Sequence, residues 1–128
     1  MTDGPVGIVL ISHSHALAVE VAALATQLGG EHVPIAAAGG TREGGLGTSS
    51  ERVEAAIREV DRGAGVVLIP DLGSSVLTAR LLERPGSVVI ADVPFLEGAI
   101  AAAVTAGAGA PLARVLAAAE EARTARKL

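Results

Sequence analysis

Four short apolar runs punctuate the chain, and between them the apolar positions recur at helical rather than alternating spacing. Val6 to Ile11 is continuous, rich in β-branched residues and bounded by Pro5 and by Ser12-His13-Ser14-His15, the pattern of a strand buried on both faces. Leu17, Val21, Leu24 and Leu28 then mark one face of a helix, with Glu20 and Gln27 left for water and Gly29-Gly30 as its close. His32 to Ala38 reads as a second strand, followed by the glycine-dense segment Gly39 to Gly47, a flexible loop of the kind that carries function. Thr48 and Glu51 have capping-box spacing and predict a second helix through Val53, Ile57 and Val60. Val66 to Ile69 is the third strand, and Asp71-Leu72-Gly73-Ser74-Ser75 forms a turn with capping residues. A third helix runs from Val76 to Glu83, and a fourth strand from Ser87 to Ala91 ends in Asp92-Val93-Pro94. Two small-residue helices complete the chain, Leu96 to Ala106 and Leu112 to Arg126, the second started by Pro111.

Strand and helix alternating through short connections predict an α/β fold, a single doubly wound domain over residues 1–128 with a parallel four-stranded sheet and helices on both faces. Ligands of such folds gather beyond the carboxyl ends of the strands, where the strand order switches. The polar residues respect that rule. His13 follows the first strand, the glycine-rich loop and Thr48 the second, Asp71 to Ser75 the third, and Asp92 the fourth.

Composition narrows the function. The chain has 128 residues, half of them hydrophobic, and can bury its own core. Ten Lys and Arg against 14 Asp and Glu give a charge of -4 with no basic stripe, and Phe95 is the one aromatic residue, so neither duplex nor single-stranded nucleic acid has a footing. The absence of Cys excludes thiolate zinc sites, iron–sulfur clusters and cysteine nucleophiles. The opening Met1-Thr2-Asp3-Gly4-Pro5 has no basic lead into an apolar stretch and is read as a cytoplasmic start. Gly98 to Ala113 falls short of the ~20 residues of a membrane span. No Lys follows a glycine-rich loop and no Gly-x-Ser-x-Gly elbow occurs, against both a P-loop nucleotide site and a serine hydrolase.

His13 leaves a buried strand, where the backbone sets its direction, and an imidazole with one free ring nitrogen and one held can carry a phosphoryl group. A histidine there can equally just cap a strand end. Asp71 is the natural holder, since neighbouring strands lie ~4.8 Å apart, although an Asx-turn capping the next helix explains it too. Gly73, Ser74 and Ser75 offer amides and hydroxyls at a helix start, a cradle for phosphate, with Thr48 a second candidate of the same kind; ordinary N-capping is the alternative for both. A rival site uses His13 and His15, their α-carbons ~6.6 Å apart if the strand continued, with Asp71 or Asp92 around a divalent metal. A non-catalytic small-ligand regulatory dimer is a third class.

Gly7 to Ser14, Gly39-Gly40, Gly47-Thr48-Ser49, Asp71-Leu72-Gly73-Ser74 and Pro94-Phe95-Leu96-Glu97-Gly98-Ala99, in that order, resemble the mannose-type phosphotransferase domains over almost the whole chain. The set is most similar to the phosphotransferase subunits (subunit M) of phosphoenolpyruvate-dependent dihydroxyacetone kinases. The resemblance implies that His13 takes phosphate from the histidine phosphocarrier protein and passes it to ADP on the nucleotide-binding subunit of the kinase, with no cofactor or metal of its own. Ending at Leu128 without a further carrier domain, the chain is expected to use a separate donor. The Ala- and Gly-rich faces of the late helices permit close packing and suggest a homodimer, and His15 is expected to lie exposed beside His13 as a modulator.

Overall fold

Every residue of the first strand, β1 (Gly7–Ser12), is buried, as expected of an apolar run with no polar face. The computed structural model describes residues 4–128, so Met1 to Asp3 of the predicted cytoplasmic start lie outside the described residues. The elements that follow are α1 (His15–Gly29), β2 (Ile35–Gly39), α2 (Ser50–Val60), β3 (Val66–Pro70), α3 (Gly73–Arg80), β4 (Val88–Ile90), α4 (Phe95–Gly107) and α5 (Leu112–Glu121). The strands form one sheet in the order β2-β1-β3-β4, and all three pairings are parallel. This is the doubly wound architecture that the sequence predicts.

Alternation along the strands divides the interior into two layers. Ile8 and Leu10 of β1, with Val67 and Ile69 of β3, face Val21, Ala25, Ala99, Ala102, Ala103 and Val115 of α1, α4 and α5. Val9, Ile11, Val66 and Leu68 face Val53, Ile57 and Val60 of α2 and Ala79 of α3. Each fully buried Val, Leu or Ile contributes about 1.5–3 kcal/mol, so the two central strands are the most strongly held part of the molecule. The candidate site residues His13 and Asp71 follow directly after their carboxyl ends.

Helix α1 uses only part of the face predicted for it, Val21. Ala18, Val21 and Ala25 are buried, whereas Leu17, Leu24 and Leu28 remain 46%, 40% and 56% exposed. The cause is close packing against α4: a β-carbon at Gly29 would lie 2.7 Å from the carbonyl oxygen of Ala103, so small residues occupy the contact and the leucines are displaced to its flank. The predicted Ala and Gly face of α4 is likewise consumed inside the fold, with Ala99, Ala102, Ala103 and Ala106 all buried. Several element boundaries differ as well. β2 begins at Ile35 rather than His32, α3 begins at Gly73 rather than Val76, and α5 ends at Glu121 rather than Arg126. No helix among the described residues is long and apolar enough to cross a membrane.

Candidate active site

The parallel register of β1 and β3 sets Ile11 opposite Pro70, and the amide of Asp71 donates to the Ile11 carbonyl at 2.9 Å. The next residue of each strand therefore meets its counterpart at the point where the helices change face. Asp71 accepts five hydrogen bonds there. Its Oδ2 takes the Ser12 hydroxyl and the His13 amide, both at 3.0 Å. Its Oδ1 takes His13 Nδ1 at 3.0 Å, the Leu72 amide at 2.8 Å and the Ser75 hydroxyl at 3.0 Å. Burial disfavours the charged carboxylate, but the bonds from the His13 amide and ring, Ser12 and Ser75 outweigh it and hold the Asp71 pKa below its usual 3.8. The group is thus an ionised acceptor at neutral pH.

An ionised carboxylate can only accept, so Nδ1 of His13 carries the ring proton and Nε2 is left with its lone pair. That nitrogen lies 2.7 Å from Ser74 Oγ, which donates to it. The His13 side chain keeps 28% exposure against 9% for Asp71, so the nucleophilic edge is reachable while the carboxylate is not. Ser74 occupies the second position of α3, whose N-cap is Leu72. The first amides of a helix have no intrahelical acceptor and its positive end faces outward there. Gly73 and Ser74 open this helix end, and the Ser74 hydroxyl stands on Nε2. The earlier start of α3 brings them there, because the Ser75 hydroxyl accepts from the Leu72 amide at 3.3 Å and closes the first turn three residues sooner than predicted.

Not every predicted site residue converges. The Ser75 hydroxyl is fully buried, bonded to Asp71 and to the Leu72 carbonyl at 2.7 Å, so it orients the carboxylate instead of meeting an incoming phosphate. The Thr48 hydroxyl is paired with that of Thr78 at 2.6 Å, tying the start of α2 to α3. The cap of α2 is Ser49, whose Oγ accepts from the Arg52 amide, and not Thr48. From that segment it is the Gly47 amide that reaches the site, donating to the His13 carbonyl at 3.0 Å. The loop before it is a hydrogen-bonded turn organised by Thr41, which bonds Gly45 through both its amide and its hydroxyl. Gly39 is required where this loop leaves β2, since a β-carbon there would lie 2.6 Å from the Ser14 carbonyl oxygen and 2.7 Å from the His15 α-carbon.

His15 is exposed at the first position of α1, and Asp92 points outward to Arg123 at 3.5 Å. Among the described residues no three His, Asp or Glu side chains gather as metal ligands, and both oxygens of Asp71 are already engaged by donors. Ser12 is the residue of this hydrogen-bond cluster that the sequence reading missed. It is a lone hydroxyl closing an otherwise apolar strand, and it is fully buried against Asp71.

Residues 7–116 match the family model EIIA-man, described as the PTS system fructose IIA component. Among curated proteins, the chain is 36% identical over 101 residues to the phosphoryl donor subunit DhaM of PEP-dependent dihydroxyacetone kinase 1 from Listeria innocua, covering 77% of this chain and 80% of that one. It is 33% identical over 106 residues to the phosphotransferase subunit DhaM of the PTS-dependent dihydroxyacetone kinase from Lactococcus lactis, covering 81% and 85%. Against the Escherichia coli DhaM the identity is 32% over 120 residues, 87% of this chain but 25% of that longer protein. The fold is similar to the crystal structure of EF1359, a protein of unknown function, with a TM-score of 0.82 at 31% identity over 96% of this chain and 97% of that one.

Proposed function

The chain belongs to the EIIA-man family of PTS IIA components, and from that premise we propose that it is a phosphohistidine carrier whose His13 accepts a phosphoryl group on Nε2. The donor is the histidine phosphocarrier protein. The acceptor is ADP held on the nucleotide-binding subunit of a dihydroxyacetone kinase, the system named by the relatives in Listeria and Lactococcus. The observation that carries the reading is the line Asp71 Oδ1, His13 Nδ1, His13 Nε2, Ser74 Oγ, with contacts of 3.0 Å and 2.7 Å at its two ends.

In the transfer, the Nε2 lone pair forms the new bond to phosphorus as the bond to the donor imidazole breaks. Nδ1 keeps its proton, so the ring becomes cationic, and Asp71 stabilises that charge without taking the proton. The Ser74 hydroxyl must leave Nε2 as phosphorus approaches, and turns to a phosphoryl oxygen beside the Gly73 and Ser74 amides. Onward transfer reverses these events, with the ADP oxygen as nucleophile and the neutral Nδ1–H imidazole as leaving group.

The carrier works as a homodimer in this proposal, through a different surface from the one first expected. Leu24 of α1 lines a groove with Leu96 and Ile100 of α4 and Ala118 of α5, and Leu28 and Val104 extend the exposed apolar positions on α1 and α4. Glu97, Glu121 and Lys127 rim the same groove, and an apolar groove with a polar rim fits a protein–protein contact. The experiment for the relay is reconstitution. Phosphoenolpyruvate, the general phosphotransferase proteins and the two other kinase subunits should form dihydroxyacetone phosphate only when this chain is added. No product with the chain present, despite its own phosphorylation, assigns it another acceptor.

A further inference from the structure

Among the described residues only two polar side chains are fully buried, Ser12 and Ser75, and both donate to the same carboxylate. Their bonding differs. The single proton of Ser75 is shared between Asp71 Oδ1 at 3.0 Å and the Leu72 carbonyl at 2.7 Å. The proton of Ser12 goes to Asp71 Oδ2 at 3.0 Å, and the Ser12 oxygen accepts the Ser14 amide, also at 3.0 Å. Ser12 is therefore bonded on one side to the acceptor that holds the His13 ring and on the other to the residue that follows His13 in the chain. A buried hydroxyl at the end of a strand packed on both faces has almost no conformational freedom, so these two bonds act as a fixed reference for the imidazole.

We propose that Ser12 is a positioning residue for phosphoryl transfer: by clamping Asp71 through Oδ2 it keeps Oδ1 on Nδ1, and so holds His13 in the tautomer whose Nε2 can attack. Without this clamp, Oδ2 retains only the His13 amide as donor. The His13 ring, the Leu72 amide and the Ser75 hydroxyl still hold Oδ1, but with one bond fewer the carboxylate turns more readily about its Cβ–Cγ bond, and the ring spends part of its time with the proton on Nε2. Each molecule with the proton on Nε2 has lost its nucleophile. The same logic makes second partners important wherever an imidazole must present one chosen nitrogen. This role rests on the phosphocarrier reading for its chemistry, but the tautomer is a property of the resting protein and is measured without any phosphoryl donor.

The test uses the full chain with Ser12→Ala, Ser12→Cys, which keeps the volume but offers only a weak S–H donor, and Ser12→Thr, which restores the hydroxyl. Two quantities are read: the imidazole 15N signals of His13 in the resting protein, and the rate of phosphorylation by the phosphocarrier per folded molecule. The wild type should show one tautomer with the proton on Nδ1. Ser12→Ala and Ser12→Cys should show a mixture and slow phosphorylation by about tenfold or more, by analogy with the loss of an outer partner of a metal-bound imidazole, with recovery in Ser12→Thr. A lower melting temperature with unchanged tautomer and unchanged rate in either variant would overturn the proposal, because Ser12 would then be structural alone. A wild type already mixed between tautomers overturns it as well. If the wild type shows the predicted tautomer but accepts no phosphoryl group, the carrier reading fails and the spectra of the variants still decide the role of Ser12.

Discussion

Replacing Asp71 by Asn separates the charge of this residue from its shape. Asn is close in size, so its carbonyl can stay on His13 Nδ1, Leu72 and Ser75 while its amide group takes the place of Oδ2. The Ser12 hydroxyl can rotate away from that amide, but the His13 N–H, which now meets Oδ2 at 3.0 Å, would face a donor. One unsatisfied buried donor costs about 1–3 kcal/mol, which a domain of this size survives. The larger loss is in the transition state, where the ring becomes cationic with its Nδ1 only 3.0 Å from Oδ1. Opposite unit charges about 4 Å apart interact by about 4 kcal/mol at an effective dielectric constant near 20. The neutral carbonyl recovers part of this, leaving a deficit of about 2–4 kcal/mol, or a slowing of roughly thirty- to a thousandfold. The assay is a quenched time course of phosphoryl incorporation from phosphoenolpyruvate and the general phosphotransferase proteins, read by intact mass, beside circular dichroism to verify the fold. A folded Asp71→Asn protein that is phosphorylated at the wild-type rate would refute the reasoning and leave Asp71 a turn residue.

Three further outcomes follow from the same geometry. Ser74→Ala should slow phosphorylation by less than about tenfold, since loss of one neutral hydroxyl bond is worth about 0.5–1.5 kcal/mol and the α3 amides remain; a loss equal to that of Asp71→Asn would mean that the hydroxyl carries the anion. Because the folded pKa of Asp71 lies below its unfolded value near 3.8, its contribution to stability is complete above that value and is lost as pH falls through the lower folded one. The stability gap between wild type and Asp71→Asn in denaturant titrations should therefore be constant down to about pH 5 and then narrow, and a gap that widens in acid would contradict the assignment. Light scattering at micromolar concentration should report twice the chain mass, and Leu28→Glu should lower it to one; a wild type that is already monomeric removes the homodimer.

The strands were legible because burial on both faces leaves no room for polar residues, and Val6 to Ile11 and Val66 to Ile69 announce themselves as unbroken apolar runs. His13 and Asp71 followed from that, since strand ends and a parallel topology bring them to one rim. The face of α1 was not legible. Alanine carries its own helical period at Ala18 and Ala25, but next to leucines at Leu17, Leu24 and Leu28 it looks like filler, and only the close approach of Gly29 to Ala103 shows which stripe is inside. Capping failed by one residue for a related reason. Thr48, Ser49 and Ser50 are all competent caps, and the pairing of Thr48 with Thr78, distant in sequence, leaves Ser49 to do it. Ser12 was hidden, and Ser75 was read as a phosphate ligand and not as a partner of Asp71, because a serine at a strand end or in a turn has an ordinary local explanation. Their shared target becomes visible only when β1 and β3 lie side by side.

In the proposed relay His13 alone carries the phosphoryl group, on Nε2. This assignment is tested most directly by incubating the wild type, His13→Ala and His15→Ala with phosphoenolpyruvate and the general phosphotransferase proteins, then reading intact mass and the phosphohistidine isomer by 31P and 15N NMR. The wild type should carry one acid-labile phosphoryl group at Nε2 and His13→Ala none, while His15→Ala, whose side chain stands outside the line from Asp71 to Ser74, should retain its labelling. Labelling that survives in His13→Ala, or that appears on Nδ1 of His13, would contradict the assignment.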